Sequence, residues 1–286
     1  MLLSPAERQY LYDSLVQNPP IRPDARNVFQ CRPLEATTTF LPSSNGSARL
    51  RMTDGAECIV SVKSKVVKTA DTPNLLEVDV DVQGYRDDSN FVATLKYNLS
   101  SLLHKNFPFE ALKLTSRYSY KLFIDCIVMS NTSYPLTIIS MAIYLALKTT
   151  KLPKLVSEVD DVNVEEQPTF SDDWEDAKTL GEATGSDFQP PVFITLGVIG
   201  SSLLFDPSLE EEQVLENGLI VSFYDGKAQT PLQNINLALN SNKNNYKGLK
   251  STHIVSAISM VNKYCGMIIH ALDTLIDQDE GDGQVF

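Results

Sequence analysis

Residues 135–150, "PLTIISMAIYLALKTT", read as a helix that is apolar on nearly every side. Such a helix has no face to offer water, so the fold must bury it between other elements. The period-two stretches supply those elements. "CIVSVKSKVV" (58–67) and "LLEVDVDVQG" (75–84) alternate β-branched and polar residues and are separated by the turn-rich "TADTPN". "YSYKLFIDCIVM" (118–129) is a further strand. A short one lies within 40–57, between the turn signals Asn45-Gly46 and Asp54-Gly55. Residues 91–104 read as a helix with Phe91, Leu95, Leu99 and Leu102 or Leu103 on one face.

The N-terminal stretch predicts a short helix. Ser4 can cap it, Pro5 suits its first position, Glu7 completes a capping box, and "NPP" (18–20) stops it. In the second half "VFITLGVIG", "SLLFDP" and "GLIVSFYDGK" read as three strands joined by short turns. A C-terminal helix follows, with Val255, Ile258, Cys265, Ile268, Ile269, Leu272 and Ile276 at helical spacing. The element order predicts an α+β fold of two similar halves, each a mixed sheet covered by helices. The expected divisions are an N-terminal helix (1–20), a first half (21–155), an acidic insertion (156–188), a second half (189–276) and a frayed acidic tail (277–286).

Charge separates these regions. The chain carries 36 acids and 24 bases, for a net −12. Residues 156–188 alone hold eleven acids and one base, Lys178, so the remainder is near neutral. That stretch is polar and aperiodic, which predicts a long surface loop. The net charge disfavours a nucleic-acid-binding module acting alone, and no DNA is expected as a partner. No apolar run reaches the ~18–20 residues of a membrane helix, and the start lacks a signal-peptide core, so a soluble intracellular protein is expected. The four cysteines (Cys31, Cys58, Cys126, Cys265) and three histidines (His104, His253, His270) are scattered, which predicts neither a disulfide frame nor a zinc site. No metal or cofactor is expected.

"LLFDPSLEEEQ" (203–213) raises a sharper question. It puts four carboxylates in seven positions after an apolar run, either as a working acid cluster or as a turn. A resemblance bears on the choice. "IRPDAR" (21–26) resembles the R-P-D-G-R signature of the RNase PH family, with Ala25 in place of Gly. "NGSARLRMTDGAECIVSVKSKV", "FIDCIVMSNTSYPLTIISMAIYLALKTTKLP" and "GVIGSSLLFDPSLEEEQVLENGLIVSF" are similar to that family's first hairpin, its central strand–loop–helix and its carboxylate hairpin. "VSVKSKV", "DPSLEEE" and "FLPSSNGSAR" most resemble the fungal members of one branch, ring subunits of the eukaryotic RNA exosome.

The resemblance implies an RNase PH-like fold and a question about catalysis. Active relatives shorten RNA from its 3′ end with inorganic phosphate as nucleophile. Their phosphate is held by a loop of the type G-G-T-R ahead of the central helix. The matching stretch here is Thr132, Ser133, Tyr134 and Pro135, with proline where the arginine belongs. Proline offers neither a cation nor a backbone N–H. Thr132 and Ser133 are then expected to cap the helix. In the carboxylate hairpin Asp206 matches one acidic position. Ser208 replaces a neighbouring Asp, and Glu212 stands for another, keeping its charge at greater reach. Asp206, Glu212, Tyr134 and Pro135 are therefore expected to be the remnant of a phosphorolytic site. Arg22 and Asp24 are expected to pin the terminus by a salt bridge and turn.

The resemblance implies a non-catalytic ring subunit. Its partners would be other RNase PH-like subunits, cap proteins, separate hydrolytic nucleases and single-stranded RNA in the channel, with no membrane. It also implies work in cytoplasm, nucleus and nucleolus. The rival reading is an active or pair-completing phosphorolytic exoribonuclease using Asp206 and Glu212. Lys105, Lys113, Arg117 and Lys121, set among aromatics, are the candidates for contact with RNA, against the plainer reading of solvated loop cations.

Overall fold

The computed structural model describes residues 3–157, 168–185, 188–235 and 248–282, with side chains as far as residue 278. The chain opens with α1 (Pro5–Leu15). Its capping box closes as the sequence predicts: the Ser4 N–H donates to Glu7 Oε2 (2.7 Å) and the Glu7 N–H to Ser4 Oγ (3.3 Å). Next come β1 (Leu34–Thr38), β2 (Gly46–Met52), β3 (Glu57–Lys68), β4 (Leu76–Val82), α2 (Asn90–Asn106), β5 (Tyr118–Ser130) and α3 (Leu136–Lys148). These strands form one mixed sheet in the order β1-β2-β3-β5-β4, antiparallel except for the β4–β5 pair that α2 connects. The alternation on β4 is complete: Leu76, Val78, Val80 and Val82 are buried, and Glu77, Asp79 and Asp81 face water.

A two-strand ladder, β6 (Lys151–Leu152) with β7 (Lys178–Thr179), and a short helix α4 (Leu180–Thr184) lead into the second half. That half holds β8 (Val192–Ile199), β9 (Ser202–Phe205), the single-turn α5 (Leu209–Glu212), β10 (Asn217–Tyr224), β11 (Lys227–Ile235) and α6 (Ser251–Asp282). Its sheet is antiparallel throughout, in the order β11-β10-β8-β9. The second half is therefore not a mixed sheet as expected. Four of these strands carry weak sequence signals. β1 spans only five residues, β11 alternates poorly, and β6 and β7 are two residues each, too short for any periodicity.

The all-apolar helix lies where its sequence demands. α3 contacts β2 and β3 of the first sheet and β8 of the second, and every residue from Leu136 to Leu147 is buried. Its two early hydroxyls serve the neighbouring backbone. β9 reaches only Leu196–Ile199 of β8, and ahead of that the Phe193 N–H donates to Ser140 Oγ (3.0 Å) and the Thr195 N–H to Thr137 Oγ1 (3.0 Å). Buried backbone donors need such partners. On the other side, β2 passes α3 so closely that a Cβ on Gly46 would meet the backbone around Ala146 and Thr150.

α6 turns Ala257, Val261, Cys265, Ile269 and Leu272 inward, across the second sheet and beside α3. Val255, expected on that stripe, instead faces solvent, because the buried line is set by residues three and four apart from His253 onward. By length and composition α6 is also apolar enough to cross a membrane, although the linear sequence suggested no such segment. Only part of its apolar surface is in the core: Ala257, Val261, Cys265, Ile269 and Leu272 are buried, while Ile254, Val255 and Met267 are exposed. The helix continues to Asp282, into the stretch read as a frayed tail.

Candidate functional site

The carboxylates of 206–212 begin where β9 ends. Asp206 takes a left-handed backbone conformation (φ 43°) and its N–H donates to the Thr195 carbonyl (3.0 Å), which turns the chain out of the sheet. Ser208 then caps α5 through a second capping box, donating its N–H to Glu211 Oε2 (2.8 Å) and accepting the Glu211 N–H (3.4 Å). In this turn Leu209 and Glu210 are exposed. Asp206, Glu211 and Glu212 are all buried.

Three arginines from the segment ahead of β1 converge on the turn. Arg22 reaches Glu211 with two parallel bonds, Nε to Oε1 and Nη2 to Oε2, both 2.7 Å, and neither side chain is exposed. Its remaining donors take the carbonyls of Phe205 (3.0 Å), Asp206 (3.2 Å), Asn27 (3.4 Å) and Gln30 (3.3 Å). Arg32 grips Asp206 in the same two-pronged way, Nη2 to Oδ1 at 2.6 Å and Nε to Oδ2 at 2.9 Å, and its backbone N–H adds a third bond at 2.8 Å. Arg26 donates to the Asp206 carbonyl (3.1 Å) and pairs with Asp24 (2.5 Å). Its Nη2 is buried without a hydrogen-bond acceptor, 3.8 Å from Glu211.

Arg22 does pin the terminus, but to Glu211. Asp24 stands 3.9 Å from Arg22 and bonds Arg26 instead. Burial alone would lower the Arg32 pKa. The bonds and charges of Asp206 and Asp54 outweigh it and hold the guanidinium firmly protonated.

The loop 132–135 forms the other side of the site. Pro135 is the N-cap of α3 and no side chain caps it. The Thr132 hydroxyl, expected to cap the helix, donates instead to Asp54 (2.5 Å), which also pairs with Arg32. Burial pushes the Asp54 carboxyl up, but the Thr132 hydroxyl and the Arg32 charge leave it below the usual range. Tyr134 is buried, its ring edge-on to Phe91 (5.9 Å), which packs on Tyr85 (4.6 Å). Burial, reinforced by the Glu212 charge, pushes its phenol well up.

One bond joins the two walls, from the Tyr134 N–H to Glu212 Oε1 (2.8 Å). Glu212 was expected to keep its charge. Burial raises its pKa to about 8, against the opposing effects of the Tyr134 N–H and the Arg32 charge, so it is mostly protonated at neutral pH.

Sequence reasoning thus found both walls, Tyr134 and Pro135 with Asp206 and Glu212. It met Glu211 only as one of the four carboxylates of 206–212, and missed the connectors Arg26, Arg32 and Asp54. The signal available was three arginines within residues 22–32, just ahead of β1. Among the described residues, no group of three or more His, Cys, Asp or Glu is placed to hold a metal ion.

The RNA candidates lie elsewhere, around the C-terminus of α2 and the start of β5. Lys105 and Arg117 are exposed. Lys113 pairs with Glu110 (3.1 Å), and Lys121 pairs with Glu77 (2.7 Å) while covering the Phe123 ring (4.7 Å).

Comparison with known proteins agrees with this architecture. Residues 30–153 match the model of the 3′ exoribonuclease family, domain 1 (RNase PH). The chain is 44% identical over 277 residues to the exosome complex component RRP42 of Saccharomyces cerevisiae, covering 96% of this chain and all of that one. It is 29% identical over 233 residues to the rrp42 exosome component of Schizosaccharomyces pombe, covering 76% of each. The fold is also that of an archaeal exosome core (TM-score 0.63, 17% identity, 94% of this chain and 96% of that chain). The same holds for the Archaeoglobus fulgidus exosome with RNA bound to the active site (TM-score 0.63, 17% identity, 92% and 96%). On this evidence the chain belongs to the RNase PH family, in its RRP42 branch.

Proposed function

We propose that this chain is a non-catalytic subunit of an exosome ring, one sector of a channel that leads single-stranded RNA to separate 3′–5′ exonucleases. Its partners are other RNase PH-like ring subunits, cap proteins above them and hydrolytic nucleases. The full-length similarity to the yeast exosome component supports the assembly.

One observation carries the loss of chemistry: the cations and carboxylates of the site neutralise each other. Phosphorolysis needs positive charge free to hold phosphate and a carboxylate free to act beside the leaving oxygen. Here Arg32 is bound to Asp206 and Arg22 to Glu211, while Pro135 brings no donor to the loop. Glu212 is held by a backbone N–H in a buried position. Opening the Arg32–Asp206 pair to admit phosphate would leave a buried carboxylate unpaired, a cost of about 3–5 kcal/mol.

The test is to incubate the purified chain with single-stranded RNA and inorganic phosphate and to look for nucleoside diphosphates. None is expected, and their release above the background of a matched blank would refute the reading. Native mass spectrometry of the complex purified from cells tests the assembly, with RNase PH-like neighbours expected in one-to-one ratio.

Lys105, Lys113 and Arg117 are exposed and suited to sequence-independent phosphate contacts, Lys113 while pairing with Glu110, and Lys121 is half-buried and pairs with Glu77. Charge reversal at Lys105 and Arg117 in the assembled ring should weaken RNA crosslinking, and an unchanged yield would remove them from the path. The proposal carries with it a distribution over cytoplasm, nucleus and nucleolus, which imaging of a tagged chain can check.

A further inference from the structure

The acidic insertion holds the chain's only tryptophan, and the protein leaves it in water. Trp174 opens a 3-10 turn (Trp174–Asp176) and is 50% exposed. An indole is among the side chains with most to gain from burial, and it is a frequent centre of protein interfaces.

The turn that presents it is well braced. The Glu175 N–H donates to Asp173 Oδ1 (2.9 Å), the Asp173 N–H to Ser171 Oγ (3.2 Å), and the Ala177 N–H to the Trp174 carbonyl (3.2 Å). Behind it, residues 154–156 pair with 169–171. The Val156 N–H donates to the Thr169 carbonyl (2.9 Å) and the Ser171 N–H to the Lys154 carbonyl (3.0 Å). Phe170 lies 5.7 Å from Tyr120 of β5, which ties this pairing to the first sheet. An aromatic held this way loses little freedom on binding.

Its neighbours decide what can cover it. Asp172, Asp173, Glu175 and Asp176 are exposed on either side of the indole, and Lys154 offsets one of them through Asp176 (3.4 Å). That field repels an RNA backbone and attracts cations. The ring face itself binds guanidinium or ammonium groups. Val156, also exposed, adds apolar area beside the same pairing.

We propose that the Trp174 turn is a docking site for a cationic protein segment, in which an arginine or lysine stacks on the indole while its neighbours meet the flanking carboxylates. This does not rest on the ring reading.

Titration of the full chain with a fluorescently labelled arginine-rich octapeptide, read by anisotropy, tests it. The expected result is saturable, salt-sensitive binding that weakens about tenfold in Trp174→Ala. Asp172→Asn with Glu175→Gln should weaken it comparably. Asp81→Asn with Asp87→Asn, which removes two exposed charges elsewhere, should leave it unchanged. In the parent chain the peptide should also shift the emission of the sole tryptophan. Equal affinity in Trp174→Ala, an equal loss in the control pair, or no saturable binding would overturn the proposal. So would self-association of the parent chain that Trp174→Ala abolishes, which would assign the surface to a second copy.

Discussion

Two acidic stretches of this chain look alike in composition and are opposites in the fold. At 172–176 four carboxylates lie in water, one of them loosely paired with Lys154. At 206–212 Asp206, Glu211 and Glu212 lie in the interior, each with donors aimed at it. What separates them is arginine, supplied from 174 and 189 residues away along the chain. A cluster of acids therefore acquires meaning from the cations that fold brings to it. In this protein those cations form a clasp between the N-terminal segment and the second half.

The largest test of that contrast is Arg22→Met. The methionine fills part of the space but leaves Glu211 buried without its two guanidinium bonds, keeping only the Ser208 N–H, while the Phe205 carbonyl loses its Arg22 donor and the Asp206 carbonyl keeps only Arg26. Removing one partner of a buried pair costs about 3–5 kcal/mol, to be read as a fall in the urea midpoint. A loss under about 1 kcal/mol would mean that the clasp holds nothing. Asp206→Asn is milder. It keeps an acceptor for the Arg32 backbone N–H but gives up the charge opposite the guanidinium, for an expected loss of about 2 kcal/mol.

Glu212 offers a test of opposite sign. Its pKa in the folded protein, about 8, lies above the ordinary 4.5. Between those values the folded form keeps a proton that the unfolded chain has released, so stability falls as pH rises through that window. Glutamine has no proton to lose, and its amide oxygen can still accept the Tyr134 N–H. Glu212→Gln should therefore stabilise the protein at pH 8, by on the order of 1–2 kcal/mol, and flatten the pH dependence of unfolding. A destabilised variant with the pH slope intact would show that Glu212 works as a charged group.

How much of this was legible in the sequence follows from the range of each interaction. The buried helix at 135–150, the alternation of β3, β4 and β5 and the Ser4 cap rest on residues one to four apart, and the sequence displays them directly. β6 and β7 are only as long as a single bridge and present no period. The site was half legible. Pro135 and Asp206 stood out by comparison with a family motif, whereas Thr132 binding Asp54, 78 residues away, has no local trace. A threonine before a helix usually caps it, and here a carboxylate brought in by the first hairpin competes for the hydroxyl and wins. The protonation of Glu212 was illegible for the same reason, since it depends on burial that only the assembled halves create.

The smallest expected effect sits at the other end of the comparison. Asp172→Asn with Glu175→Gln removes two of four like charges from five consecutive residues and spares Asp173, whose carboxylate braces the turn. If those charges are solvated, nothing in the fold depends on them, and easing their repulsion should raise stability by only a few tenths of a kcal/mol. Salt should then erase the gain, because screening already weakens the repulsion in the parent chain. A loss above about 1 kcal/mol would instead mean that carboxylates in the insertion brace the protein as those beside Arg22 and Arg32 do, and the two acidic stretches would differ in place rather than in kind.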